Sequence, residues 1–523
     1  MHIFICEKDT LFTVICNLFP CYLFGGNGIK LSIVNIEQTD NSNPFGAPLT
    51  GTVGHCAECE ISVHVVSAPK PSVCPLCQKN LRYDAYEVSG PSPEVPASLK
   101  GEPRYKKYKR PPRWAILSLA LAGIVLLSVA VYFQLTNIEH YWYAPLVNLY
   151  SLVAGVFIIS RFFIAAFYVA PRDVGYEPFV TVCVPSRNEE DSIITTIVRI
   201  YSEGYSHAKL EVIAVNDAST DRTFAQMLKV QSRFPALVIV NFHNNRGLSH
   251  GMAASTLLAR GEIILYVDSD TFLLPGSVRK VVQGLADPAV AGVAGHTDVE
   301  NCDTNLLTKM QDVRYYVSYK VMKAAESVFG AVSCLPGCFS AYRKACVLQV
   351  MKPWLAVKFL GRYGNFADDR SLTNCVLRNY KVLYDDEALA TTIVPDQWGK
   401  YIRQQARWTR SWVRELFVAS LFLWRKHPVT AISWYAMMFM PLLEPVVILQ
   451  ALILGPLFYG QVTSYYIIGV FAITLVWSLY FYEKTGRPYW WAGIVFTLSY
   501  AVFFSWQVYY ALATMRQSKW GTR

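Results

Sequence analysis

The sequence predicts a mostly parallel α/β sheet with helices on both faces, embedded in an α-helical membrane protein and accompanied by a small N-terminal zinc-ribbon-like module. Three observations carry that expectation. Only 16% of the 523 residues are charged and 53% are hydrophobic, against about 25% charged in an ordinary soluble chain. So large an apolar excess calls for lipid and excludes a disordered or collagenous protein. Between residues 172 and 425, apolar strands ending in polar tips alternate with helical stretches. Near the N-terminus stand two CxxC pairs, Cys56/Cys59 and Cys74/Cys77, fourteen residues apart.

Residues 1–50 form an uncertain arm. Glu7, Lys8 and Asp9 come early, and no basic start leads to a small-residue cleavage site, so no cleavable signal is expected. A membrane-touching arm and a poorly defined leader remain open. Residues 51–90 are the module: two knuckles at this spacing can set Cys56, Cys59, Cys74 and Cys77 around one Zn²⁺, whose binding would supply folding free energy. The bland alternative is four unpaired core cysteines. His55 and His64 are not needed to fill the shell. Thirteen scattered cysteines agree with a reducing compartment. A stiff, Pro-rich and then basic linker, 91–113, follows and ends in RYKKYKRPPR.

Residues 114–135 carry no charge and are long enough to cross about 30 Å of hydrocarbon. The run 143–170 contains only Arg161, which would snorkel or face protein. Seven residues separate the two runs, so 114–170 reads as a hairpin, and its basic flanks mark the cytoplasmic side. Strands are expected at 179–185, before Asp217, through ALVIVNF and before Asp268, within a body spanning 172–425. In such sheets ligands bind beyond the carboxyl ends of the strands. A second hairpin, 431–482, includes Glu444 and three prolines and returns to the basic YEKTGRP. For 489–515 hydropathy favours a span, which would put Arg516, Lys519 and Arg523 outside, against the charge rule. A re-entrant or interfacial course keeps that tail inside. The net charge of +10 is then explained by membrane flanks, and nucleic acid is not needed.

Asp268-Ser269-Asp270, after IILYV, can bind a hard divalent cation with part of its shell open. Such a cation can bridge diphosphate oxygens and neutralise a leaving nucleoside diphosphate. Asp217 would face the nucleoside or the metal. Asp368-Asp369 offers a general base, or else merely a helix cap or a partner for Arg370. In QWGKYIRQQARWTRSWVRE, Trp408 and Trp412 lie one turn apart with Gln404 beside them and Arg403, Arg407, Arg410 and Arg414 around. Indoles can stack on sugars and Arg can clamp phosphates, and the same helix can lie at a membrane interface.

These residues carry a resemblance. Asp217, the Asp268-Ser269-Asp270 tripeptide, DDRSLTN, QQARW, SWVRE and the terminal WGTR resemble the hyaluronan synthases within the processive family 2 glycosyltransferases, related to chitin, cellulose and chitooligosaccharide synthases. The likeness covers roughly 115–523. It implies a GT-A-type sheet and an inverting, processive enzyme that joins UDP-N-acetylglucosamine and UDP-glucuronate into hyaluronan and passes the chain through its own channel. Arg187, Glu189 and Asp217 would hold the nucleoside, and Asp268 and Asp270 the Mg²⁺ or Mn²⁺ of the diphosphate. Asp369, with Asp368 its neighbour, would be the base. Gln404, Arg407 and Trp408 would line the donor and acceptor sites, Cys334 and Trp412 would lie by the acceptor, and Trp520 and Arg523 would gate the diphosphate. The implied partners are UDP-sugars, the growing polysaccharide and lipid. The implied location is the cell membrane, with the catalytic body and N-terminal module cytoplasmic. No protein partner of that module is identified.

Departures from the pattern stand beside it. Gly247-Leu248-Ser249-His250 replaces the usual Gly-Lys, leaving His250 as a candidate cation. Ala367 replaces a glycine, and the acceptor loop reads CLPGCFSAYRK. A chitin-like homopolymer synthase and a non-processive transferase to a lipid carrier are the alternative readings. A transporter or receptor reading is disfavoured, because the carboxylates and the Trp/Arg helix cluster in the polar body rather than at mid-membrane.

Overall fold

The computed structural model describes residues 49–88, 145–356, 358–359, 362–363, 368–460 and 464–516, with single positions between 112 and 132. Residues 1–48 of the expected arm at 1–50, the linker, most of the first apolar run and the WGTR tail lie outside the described residues.

The N-terminal segment forms β1 (Leu49–Cys56), β2 (Ile61–Val65) and β3 (Arg82–Val88). The body continues through β4 (Val180–Ser186), β5 (Leu210–Asp217), β6 (Val238–Phe242), β7 (Ile263–Tyr266), β8 (Thr271–Leu273), β9 (Val290–Val299), β10 (Ser340–Arg343), the short pair β11 (Lys358–Phe359) and β12 (Arg362–Tyr363), and β13 (Lys381–Thr392). One sheet runs in the order β3-β1-β2-β6-β5-β4-β7-β10-β9-β13-β8. Strands β4 to β7 pair in parallel, as do β9 and β13. Strand β10 is antiparallel to both β7 and β9, and β8 is antiparallel to β13. The sheet is therefore mixed. The cysteine module is not a separate body either: β2 pairs antiparallel with β6, Ile61 opposite Phe242 and His64 opposite Ile239, and so extends the same sheet.

Counting the helices in chain order, α1 is Pro145–Ala165, α2 Ile193–Tyr201, α3 Thr223–Arg233, α4 Leu248–Leu258 and α5 Ser277–Gln283. Period-two alternation in the central strands sends successive side chains to two cores. Val180, Val182, Val184, Val212 and Leu265 pack with Ile193, Ile197 and Met227 beneath α2 and α3. Cys183, Ile213, Val215 and Tyr266 pack with Met252 and Ala253 of α4 on the other face. Strands buried on both faces read as continuous apolar runs, which is why β4, β5 and β7 were legible. Each fully buried Val, Leu or Ile contributes about 1.5–3 kcal/mol of transfer free energy.

Helix α6 (Leu306–Val317) opens with a capping box between Asn305 and Thr308 and passes through a π-helical turn, Ser318–Lys323, into Ala324–Ser327. Then come α7 (Lys344–Leu355), α8 (Asp368–Leu377), α9 (Trp398–Leu423), α10 (Pro428–Leu449), α11 (Ser464–Thr485), α12 (Ala492–Ser499) and α13 (Gln507–Ala513). Among the described residues, three helical stretches, Pro145–Ala165, Pro428–Phe458 and Tyr466–Thr485, are long and apolar enough to cross a membrane. The last apolar run is not one straight helix: Ala492–Phe504 and Gln507–Ala513 are bent by 41°. Arg161 in α1 is buried, its guanidinium 5.0 Å from the Phe157 ring centroid, and so faces protein.

Candidate active site

The tripeptide after β7 is held as a tight turn. Thr271 N–H donates to the Asp268 carbonyl at 3.0 Å, and the Thr196 hydroxyl donates to the Ser269 carbonyl at 2.7 Å. The Thr392 hydroxyl reaches Asp270 Oδ1 at 3.4 Å. The turn thus joins β7, α2 and β13, and both carboxylates line a cavity of about 560 Å³. Gly337 crosses so close that a Cβ there would lie 3.0 Å from Asp268 Oδ1. A larger residue there would press on the Asp268 carboxylate, which would have to give way by a few tenths of an ångström.

Asp369 stands at the start of α8, where its Oδ1 accepts the Arg370 N–H at 2.7 Å. Its Oδ2 lies 3.8 Å from Cys334 Sγ. Burial pushes the Cys334 thiol up to about 11 and the Cys338 thiol up to about 12, so both are neutral donors at neutral pH rather than thiolate nucleophiles. Thr373 ties this helix to the acceptor loop: its hydroxyl donates to the Asp369 carbonyl at 2.7 Å, accepts from Leu335 N–H at 3.0 Å, and meets Tyr342 Oη at 3.1 Å.

Helix α9 closes the cavity. Gln404, Arg407, Trp408 and Trp412 line it, together with Arg187, Glu189, Cys334 and Asp369. Asn374 Nδ2 donates to Glu415 Oε2 at 2.9 Å, and Arg414 donates to Glu415 Oε1 at 2.7 and 3.0 Å. The SLTN and SWVRE segments therefore bolt α8 against α9. The same cavity continues past Pro441, Tyr500, Phe504, Ser505 and Val508, into the apolar helices.

The structure separates other expected site residues. Asp217 does not line the cavity: it is buried, and its carboxylate accepts the N–H groups of Arg246 at 2.7 Å and Gly247 at 2.9 Å. His250 is not among the lining groups, and burial lowers its pKa, so it does not replace a missing phosphate-side cation. Of the arginines around the tryptophans, Arg407 alone reaches the cavity. Arg403 is exposed, Arg410 points to the Thr514 hydroxyl at 3.4 Å, and Arg414 is buried against Glu415. The side chain of Asp368, and Trp520 and Arg523 altogether, lie outside the described residues.

Sequence reasoning missed Arg314, Lys323 and Arg370, all of which line the cavity. Lys323 ends the π-helical turn, donates to the Cys334 carbonyl and lies 5.2 Å from the Tyr319 ring centroid. No motif marks it, although π-helical turns cluster at functional sites.

The cysteines of the module do converge. The four Sγ atoms of Cys56, Cys59, Cys74 and Cys77 lie within 4.8 Å of one another, with Cys56 and Cys77 at 3.6 Å. A tetrahedral Zn²⁺ with about 2.3 Å bonds to sulfur requires edges of about 3.8 Å, so the arrangement fits such an ion.

Comparison with known proteins bears on the family of the chain. The chitin synthase family model matches residues 249–522, more than half of the chain. The hyaluronan synthase of Streptococcus pyogenes is 25% identical over 420 residues, covering 77% of this chain and 96% of that protein. The N-acetylglucosaminyltransferase of Rhizobium meliloti (strain 1021) is 31% identical over 244 residues, 46% of this chain and 57% of that protein. A solved mannosyltransferase from Pyrobaculum calidifontis, in complex with GDP-Man and Mn²⁺, is 22% identical over 73% of this chain and 99% of its own, at a TM-score of 0.47. With paired carboxylates, a candidate base and the Trp/Arg helix around one cavity, and with a family match that spans all three of these elements, the chain belongs to the chitin synthase family of glycosyltransferases and is hyaluronan synthase-like in sequence.

Proposed function

We propose that the protein is a processive, inverting UDP-sugar polymerase that alternates N-acetylglucosamine and glucuronate, making hyaluronan and moving it across the membrane. The observation that carries this reading is the continuity of the cavity from Asp268 and Asp270, past Asp369, to Trp408, Trp412 and the apolar helices. A polymer seated along that length stays bound between additions. Asp268 and Asp270 would hold Mg²⁺ or Mn²⁺, which when bound neutralises the diphosphate oxygens. Arg187 and Glu189 serve the nucleoside side, and Asp217 shapes it indirectly through the 246–247 backbone. By the resemblance alone, Trp520 and Arg523 would act on the diphosphate.

At the reacting centre, Asp369 takes the proton of the acceptor hydroxyl as its oxygen bonds to the donor's anomeric carbon. The bond from that carbon to the diphosphate oxygen breaks, UDP leaves, and the configuration inverts. Lys323 and Arg407 offset charge on the departing diphosphate. Trp408 and Trp412 stack on sugar rings, and Cys334 donates towards Asp369. The four N-terminal thiols hold a structural Zn²⁺. The basic flanks favour a multi-pass protein with its catalytic body on the cytoplasmic side.

The chitin synthase match and the N-acetylglucosaminyltransferase relative favour a second reading, a homopolymer of N-acetylglucosamine. Membranes given each UDP-sugar singly and then in pairs decide between them. Long polymer that needs both donors and is cut by hyaluronidase supports the copolymer. Long polymer from UDP-N-acetylglucosamine alone, cut by chitinase, replaces it with the homopolymer, and single-sugar lipid products defeat both.

A further inference from the structure

The cysteine module has no part in the reaction just described, yet it touches the loop on which the cavity's donor side depends. The first knuckle, Ala57–Glu60, turns directly from β1 into β2, and β2 pairs with β6. Immediately after β6, His243 N–H donates to the Glu60 carbonyl at 3.1 Å, and Asn244 donates to the Glu60 carboxylate. Arg246 then donates from its guanidinium to the carbonyl of Cys59 at 2.7 Å. From its own backbone the same residue donates to Asp217. Gly247, at φ 86°, caps α4, whose first residue, Leu248, lines the cavity with Met252. The path from thiol cluster to cavity is therefore Cys59, Arg246, Asp217 with Gly247, then Leu248.

We propose that a Zn²⁺ ion held by Cys56, Cys59, Cys74 and Cys77 acts as a remote clamp on nucleotide binding, because it fixes the Cys59 carbonyl that anchors Arg246 and with it the 243–248 loop. This rests on the reading of the cavity as a UDP-sugar site. Three features argue for a coupled site rather than a distant staple. The ligand cluster is built of thiols alone, whose sulfur atoms lie within 4.8 Å of one another, near enough to close on one tetrahedral ion. The module shares hydrogen-bonded strands with the catalytic sheet and is further tied to α3, where Tyr86 donates to Gln231 at 2.5 Å and Gln231 donates to the His64 carbonyl at 3.2 Å. The Arg246 guanidinium, two residues before the cavity-lining Leu248, is used on a ligand residue's carbonyl and is not among the groups lining the cavity. Loss of the ion frees a knuckle that has little core of its own. By linkage, nucleotide must then tighten metal binding by the factor by which metal tightens nucleotide.

The test uses the full chain in detergent, as purified, after chelator stripping, and as Arg246→Met, Arg246→Lys and Cys74→Ser variants. Zinc per chain, amide exchange over residues 243–250 and UDP affinity with Mn²⁺ present are measured on each. Expected are about one zinc per chain, faster exchange at 243–250 on stripping, and UDP binding weakened roughly tenfold, within the usual range of coupling between sites. Arg246→Met should show the same loosening and weakening while keeping its zinc, and Arg246→Lys should recover most of both. Because Arg246→Met leaves every thiol in place, misfolding of Cys74→Ser does not spoil the test. A protein that takes up no zinc, or exchange at 243–250 that is unchanged in both stripped and Arg246→Met protein, overturns the clamp. Loosened exchange with unaltered UDP affinity also overturns it. Loosened exchange in a wild-type chain that never binds UDP upholds the link from metal to loop and rejects the donor-site reading instead.

Discussion

Replacing Asp369 by asparagine removes a base while preserving nearly all of its surroundings. Oδ1 accepts the Arg370 N–H at 2.7 Å, a bond that an amide oxygen accepts as well. The changed atom is Oδ2, which faces the cavity and Cys334 Sγ at 3.8 Å. The Thr373 link runs through the Asp369 backbone carbonyl, so the acceptor loop keeps its anchor. What is lost is proton acceptance in the transition state, a contribution of about 10²- to 10⁴-fold, equal to about 3–5 kcal/mol of activation free energy. UDP release from membranes, followed at several donor concentrations, should therefore show kcat lower by about that factor. KM for donor should stay within about threefold, because an interaction realised only in the transition state leaves ground-state binding alone. A kcat within about threefold of wild type would refute Asp369 as base. A raised KM at unchanged kcat would assign it to substrate binding instead.

Other substitutions separate positioning from chemistry. Lys323→Met should raise donor KM roughly tenfold or more, as expected for loss of a charge-assisted contact, and unchanged donor kinetics would remove Lys323 from the diphosphate site. Arg487 is buried against Asp312 at 2.5 Å and near Asp298 at 3.6 Å, so Arg487→Met leaves two buried carboxylates with only the Tyr489 hydroxyl and His296 beside them. It should cost about 3–5 kcal/mol in thermal or denaturant stability, whereas a loss below about 1 kcal/mol would show the network to be dispensable. Burial between Tyr86 and Phe224 pushes the His64 imidazole down to about 4. A depressed histidine is protonated first in the unfolded chain. Its contribution is complete above about pH 6.5 and is lost as pH falls towards 4, by a few kcal/mol at most. Melting measured from pH 7 to 4 should be steeper in wild type than in His64→Gln, and parallel curves would refute the assignment.

The site was partly legible because its parts are local. Asp268 and Asp270 follow an apolar run, and a buried parallel strand must end in a polar tip. Trp408 and Trp412 share a helix face by spacing alone. Asp369 and Cys334 were assigned through resemblance, and their approach could not be computed from a separation of thirty-five residues. Arg414 illustrates the opposite error. It has the same helical phase and charge as a phosphate clamp, yet it pairs with Glu415, because α8 packs there and supplies Asn374. Lys323 follows Tyr315 and Tyr319 on one face of this helix, and only the folded chain shows that the face lines the cavity.

By itself the sequence determined the apolar helices, the doubly buried strands, the four-thiol spacing and the family, because composition and periodicity record which faces meet water. Tertiary structure decided the rest: the antiparallel insertion of β10, the bend at Ser505–Trp506, the withdrawal of Asp217 from the cavity, and the docking of the cysteine module along β6. Each depends on which distant segment arrives at an open sheet edge or an unpaired carboxylate. That choice is made by hydrogen bonds and packing between segments, and no local pattern of residues encodes it.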